Sequence, residues 1–285
     1  MKKLRQGIAL ICAVAFMLAL SACGGAKESK EDIAKRLADA ETKVAEAQSM
    51  QADLVMNMDM TLEADGQSHP MNTKTNMTML LFNHPMKMKL DMSATTEQSD
   101  TEAINMTMYM VEKDGTYTMY TYDGTKWNSQ TMDLSSIEQF DPQATMGLYL
   151  KSAESFEAKG EETINGVKTK KYTGVITNEA MNEVMSATGI PNSMNGLGLP
   201  GMDWNALYKD MGNLPISLWL NEEGYPVRYE MDMTEMMNKL YAKLIQQMGE
   251  DAAGGTINCS KVLVTMDITN YNQVQPFELP AGIPQ

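Results

Sequence analysis

The chain has 285 residues, 43% of them hydrophobic, which is enough to bury a sizeable core, and only three cysteines. Its net charge is −14, and it shows no basic patch with interleaved aromatics, so an acidic surface of this kind excludes nucleic acid as a partner. Its two histidines belong to no metal-ligand spacing and no nucleophile–base pair, so the chain reads as a non-enzyme with no catalytic residues, no metal and no cofactor.

The N-terminus opens with Lys2, Lys3 and Arg5, followed by an apolar run from Ile8 to Leu20. That run is short for a membrane span and has the order of a secretory signal. The sequence Leu20-Ser21-Ala22-Cys23 resembles the bacterial lipobox, whose cysteine is diacylated and becomes the new N-terminus. Residues 1–22 are therefore expected to be a lipoprotein signal peptide, and Cys23 the lipidation site. The expected location is extracytoplasmic, lipid-anchored to the cell membrane, with the membrane met through the anchor. Residues 23–31 (small, polar and charged from Gly24 to Glu31) read as a flexible tether, and 32–285 as a single domain. Cleavage leaves 263 residues and, by removing three basic side chains, takes the net charge to −17. Cys12 leaves with the signal and Cys23 carries lipid, so an intramolecular disulfide is impossible and Cys259 is expected to be a packed residue.

Residues 29–50 predict a helix. Ser29 and Asp32 form a capping pair, and Ile33, Leu37, Ala40, Val44 and Ala47 fall on one face. Strict alternation follows: Leu54, Met56, Met58, Met60 and Leu62; then Met77, Met79 and Leu81; Met86, Met88, Leu90 and Met92; Ile104, Met106, Met108 and Met110. Period two predicts a half-buried antiparallel sheet. Asp65-Gly66, Asn83-His84-Pro85, Asp114-Gly115 and Asp123-Gly124 are turn signals, with His69 and His84 expected in turns.

Residues 135–153 read as helical around Phe140, Met146 and Tyr149. Asn165-Gly166 predicts a type I′ hairpin turn before Val167 to Thr177. Asn178 is a candidate cap for a short helix to Ala187, and Asp203 for another through Met211. Between them, 189–202 is rich in glycine, proline and methionine and reads as a loop. Leu214 to Leu220 predicts a strand, and Tyr225, Val227, Tyr229, Met231 and Met233 alternate after Glu223-Gly224. Thr234 is expected to cap a helix to Met248, and Val262, Val264, Met266 and Ile268 predict a last strand.

This order of elements, the stretch Trp219-Leu220-Asn221-Glu222-Glu223-Gly224-Tyr225-Pro226-Val227-Arg228, and the ending Asp267-Ile268-Thr269-Asn270-Tyr271-Asn272 with Phe277-Glu278-Leu279-Pro280 resemble the LolA-like lipoproteins. The likeness is strongest to the anchored LppX/LprG branch and its uncharacterised Gram-positive relatives, and it spans about residues 30–283. The resemblance implies an α+β fold: a strongly curved antiparallel sheet, a half-open β-barrel, wrapped around an N-terminal helix and inserted lid helices. It also implies an apolar cavity that holds acyl chains. The chain departs from the family in its methionine content and its Gly/Met-rich loop.

Methionine is the compositional outlier, with 29 residues. Thioether side chains adapt to irregular apolar shapes. The cavity candidates are Met56, Met58, Met60, Met77, Met79, Met88, Met106, Met108, Met110, Met231, Met233 and Met266. Alternation predicts an ordinary core as well as a cavity. Thioethers also ligate Cu(I), but no Cys or His joins these runs. Gly196-Leu-Gly198-Leu-Pro-Gly201 has the letters of a dinucleotide fingerprint without its strand context. It reads instead as a lid, with Met194, Leu197, Leu199, Met202 and Trp204 as the lid candidates. The function expected is a membrane-anchored lipoprotein binding a lipid or other hydrophobic small molecule, for carriage or presentation at the cell envelope. The alternative is a non-enzymatic structural or sensor lipoprotein with a filled core, acting through a protein partner that the sequence does not name.

Overall fold

The computed structural model describes residues 28–64, 66–83, 85–97, 103–122, 124–132, 153–182, 206–207, 209–248 and 255–283. Helix α1 (Lys30–Glu46) leads into strands β1 (Ser49–Ala64), β2 (Gln67–Asn83), β3 (Met86–Thr96), β4 (Ile104–Lys113), β5 (Thr116–Tyr122) and β6 (Trp127–Met132). Strands β7 (Ala153–Ile164), β8 (Val167–Ile176), β9 (Leu214–Asn221) and β10 (Pro226–Asp232) follow, then helix α2 (Thr234–Met248) and strand β11 (Thr256–Thr269). The eleven strands form one antiparallel sheet, ordered β6-β5-β4-β3-β2-β1-β11-β10-β9-β8-β7. The sheet is curved and unclosed: β6 and β7 are its two ends.

The helix α1 starts as its capping pair dictates. The Asp32 backbone N–H donates to Ser29 Oγ at 3.1 Å, and Ser29 Oγ donates to the Asp32 carboxylate at 2.6 Å. Ile33, Leu37, Ala40 and Val44 are buried, and join one apolar cluster with Met50, Leu81, Met88 and Met110 and with Phe156, Tyr172, Leu218 and Tyr229. The helix stops four residues before the expected position 50. Asn83 Nδ2 donates to the Ala47 carbonyl, and the Gln48 N–H donates to Asn272 Oδ1 at 2.7 Å. Two distant asparagines thus take the backbone groups at the helix end, and Ser49 already pairs with Phe82. Met50 is consequently a strand residue, fully buried.

Turn chemistry follows the sequence where it is described. Asn165 (φ 51°) and Gly166 (φ 83°) both lie in the left-handed region that a type I′ turn demands. His69 is a correction. The β1–β2 hairpin pairs continuously from Ala64 with Gln67, so His69 and Pro70 lie within β2 opposite Leu62 and Thr61. His84 falls outside the described residues. So do the helix expected around Phe140 and the helical segment expected beyond residue 182.

Two expected caps are also corrected. Thr177, not Asn178, caps the helical turn at 178–182: its Oγ1 accepts from the Ala180 N–H at 3.3 Å and its carbonyl from the Met181 N–H at 2.8 Å. The Asn178 amide instead ties this turn to Asp210 and to the Gly212 N–H. At α2, Asp232 Oδ1 accepts from the Thr234 N–H at 3.0 Å, while Thr234 Oγ1 accepts from the Val262 N–H at 2.9 Å. The threonine expected to cap the helix fastens it to β11.

Alternation fails at Val227. A bulge shifts the β9–β10 register, so that Pro226 faces Leu220 and Arg228 faces Trp219. Val227 accordingly packs with Ile164 and Trp219 in a separate cluster, away from Tyr229 and Met231. The opposite, outer face of the sheet carries paired polar side chains. Asp53 accepts from Thr78 Oγ1 at 2.7 Å and Asp91 from Thr107 Oγ1 at 2.9 Å. The segment after β11 crosses this face: the Phe277 ring meets Phe82 at 5.9 Å and Tyr109 at 5.7 Å between centroids.

Candidate functional site: a methionine-lined face between two helices

Residues paired across antiparallel strands project to the same side. The register therefore decides which of the methionines meet. Tyr229, Met266, Leu54, Met77, Met92 and Met106 form one row across β10, β11, β1, β2, β3 and β4. The next row runs Met231, Val264, Met56, Thr75, Ala94 and Ile104. On the other side lies Ile268, Ala52, Met79, Leu90 and Met108, and beyond it Met50, Leu81, Met88 and Met110. Met58 is paired with Val262 and Met60 with Cys259 across a β1–β11 bulge that keeps both on this face. All the strand methionines singled out from the sequence thus share the inner face, and Met233 follows directly after β10.

The two helices divide that face. Helix α1 belongs to the cluster containing Met50, Met88 and Met110, with Met79, Met231, Met233 and Met266 packed at its border. Helix α2 brings Met237 and Tyr241 against Met56, Met58, Met60, Ile257, Cys259 and Val262. Between them the middle rows remain half-buried: Leu54, Met77, Met92, Met106, Met108 and Met266. Ile104, at the β4 end of the Met56 row, is 69% exposed, so the apolar surface reaches solvent at that side. Leu54, Leu90 and Met92 complete the floor and were absent from the residues singled out. The same period of two marks them: Leu54 heads the run of Met56, Met58 and Met60, and Leu90 and Met92 continue the run of Met86 and Met88.

Polar chemistry lies elsewhere. A hollow of about 360 Å³ between α1 and the β8–β9 region is lined by Arg36, Asp39, Lys43, Lys168, Lys170 and Tyr172, among others. At its edge the Glu28 carboxylate receives Arg36 Nε at 2.6 Å, Lys170 Nζ at 2.9 Å and Tyr172 Oη at 3.3 Å. Burial works to raise the Glu28 pKa, but these two cations together hold it below the ordinary value. Burial, assisted by Glu28, pushes the Tyr172 phenol up to about 12. A second hollow, about 590 Å³, lies beside α2 and is lined by Pro215, Asp232, Thr234, Glu235, Asn238, Lys239 and Ala242. Neither hollow touches the methionine rows.

Cys259 is buried in the α2 cluster, and burial raises its thiol pKa, which keeps it protonated and a packing residue. Among the described residues no three His, Cys, Asp or Glu side chains gather in a way that could hold a metal ion. Among them, too, no helix is long and apolar enough to cross a membrane. Cys23 and the lid candidates Met194, Leu197, Leu199, Met202 and Trp204 lie outside the described residues.

No family model matches the chain, and no curated protein matches it. Solved structures do. LprF from Mycobacterium bovis is similar over 90% of this chain and 100% of its own, at 15% identity and a TM-score of 0.48. The lipoprotein LppX of Mycobacterium tuberculosis is similar over 88% of this chain and 100% of its own, at 13% identity and a TM-score of 0.45. A LolA superfamily protein from Nitrosomonas europaea aligns over 86% of this chain and 94% of its own, at 9% identity and a TM-score of 0.19.

Proposed function

We propose that this protein is a membrane-anchored lipoprotein that holds a lipid or other hydrophobic ligand on its methionine-lined inner face, for carriage or presentation at the cell envelope. The observation that carries the reading is the half-buried apolar row Met266, Leu54, Met77, Met92 and Met106, continuous from β11 to β4, beside the Met56 row whose β4 end, Ile104, is 69% exposed. An ordinary core would bury these side chains fully, as it does Met50 and Met110 under α1. Extended apolar surface left partly open marks a place where something apolar is bound. Flexible thioethers suit a floor that meets chains of varied shape. In this reading Cys23 carries the anchor, the segment containing Met194, Leu197, Leu199, Met202 and Trp204 covers the floor, and no residue acts as a catalyst.

The test is native mass spectrometry of the mature chain carrying Cys23→Ala, after incubation with lipids extracted from a cell envelope. The expected result is a stoichiometric adduct that disappears on denaturation and whose mass gives the ligand class. A clean apo mass from folded protein, beside a lipid-binding control that does load, would overturn the reading in favour of a filled core acting through a partner.

A further inference from the structure

Methionine supplies three consecutive positions of one cross-strand row, Met77, Met92 and Met106, and a fourth, Met108, beside it on β4. All four are half-buried, whereas Met50, Met110, Met181 and Met211 are between 0% and 2% exposed. Leucine would pack this floor equally well, since the two side chains have similar volume and apolarity. What the thioether adds is chemistry: its sulfur is oxidised by small peroxides, and the susceptibility follows access.

We propose that the half-buried floor methionines are oxidation sites, and that their conversion to sulfoxide releases the ligand. The step balances with hydrogen peroxide as co-reactant. The sulfur gives two electrons to the peroxide, the O–O bond breaks, one oxygen becomes bonded to sulfur, and the other leaves as water. The product places a polar S=O acceptor on an apolar floor, where the one donor of the Met77 row, the Tyr229 hydroxyl, stands three strands away on β10. An apolar chain laid over that group would bury it unpaired, so affinity falls. Reduction of the sulfoxide by a reductase restores the thioether and the binding surface. The release step rests on the hydrophobic-ligand reading; the oxidation sites themselves do not.

The experiment treats the mature chain carrying Cys23→Ala with graded hydrogen peroxide. Peptide mass spectrometry maps the sulfoxides, circular dichroism monitors the fold, and a dansyl-labelled fatty acid reports binding. Met77, Met92, Met106 and Met108 are expected to convert before Met50, Met110, Met181 and Met211, with the probe Kd rising by about tenfold or more. In a variant with leucine at the four floor positions, whatever probe Kd it starts from, peroxide is expected to leave that Kd unchanged. Floor methionines that convert no faster than the buried four in folded protein would overturn the oxidation sites. Conversion with unchanged probe affinity would overturn the release. If untreated protein takes up no probe, the ligand reading itself fails, and the order of conversion still decides whether the oxidation sites exist.

Discussion

The side-chain amide of Asn238 in α2 closes on the backbone of Cys259 in β11: Nδ2 donates to the Cys259 carbonyl at 2.8 Å, and Oδ1 accepts its N–H at 2.7 Å. The strand is bulged at this point, and the helix amide provides the partners for both backbone groups. Asn238→Ala leaves a buried N–H and a buried carbonyl without these partners. The expected loss is about 2–3 kcal/mol, read as a lower midpoint in urea denaturation. An unchanged midpoint would mean that water replaces the amide at no cost.

Tyr229 sits at the head of the central row beneath α1, 1% exposed, and its hydroxyl has no hydrogen-bond partner among the described residues. Burial holds the phenol neutral far above its ordinary pKa. Tyr229→Phe removes the unsatisfied hydroxyl and keeps the ring, so the variant should be more stable by about 1 kcal/mol, visible as a higher Tm. A fall in Tm would show that the hydroxyl has a partner in solution.

Gly174 on β8 lies against the ring of Phe156: a Cβ built there would come within 2.9 Å of the ring carbons. Phe156 is itself 5% exposed, so its ring has little room to retreat. Gly174→Ala is expected to cost about 1–3 kcal/mol by overpacking. The double variant Gly174→Ala with Phe156→Leu should recover part of that loss. Additive effects in the denaturation cycle would refute the direct contact.

Asp267 is gripped by Arg228, at 2.5 and 2.7 Å, and by Asn165 Nδ2 at 2.9 Å. Burial works to raise its pKa, but the guanidinium and amide bonds outweigh this and hold it below the usual carboxylate value. A carboxylate depressed by folding stabilises at neutral pH, and that contribution disappears as the pH falls through the carboxylate range, from about 4 downward. Asp267→Asn should therefore lower stability at pH 7 and leave a shallower acid limb in the plot of stability against pH. Parallel acid limbs for the variant and the native chain would rule out this linkage.

Much of the fold was legible because the physics is local. Ser29 and Asp32 cap a helix through neighbours three residues apart, and the stripe from Ile33 to Val44 states which side of it is buried. Asn165-Gly166 specifies its turn through backbone conformation alone. Period two at Met56, Met58 and Met60, or at Met106, Met108 and Met110, gives strand and face together. The polar aspartates fall on the opposite face, where Asp53 and Asp91 meet threonine hydroxyls. Local pattern goes wrong where a distant group competes for the same backbone atoms. Asn83 and Asn272 end α1 early, Val262 takes the Thr234 hydroxyl, and a bulge turns Val227 to the other side.

By itself the sequence determined the acidic balance, the lipobox-like Cys23, the alternation that makes a sheet, and a supply of methionine on alternate positions of its strands. Only the tertiary structure decided that methionines from β1, β2, β3, β4, β10 and β11 share one surface, because strand register is a property of pairs of segments far apart in the chain. It also decided which of them stay half-buried. Met50 and Met110 are buried in the cluster of helix α1, Met58 and Cys259 in that of helix α2, and Leu54, Met77, Met92 and Met106 in the row between stay half-buried. Burial of a side chain depends on what lies above the sheet, and alternation along a single strand carries no information about that layer.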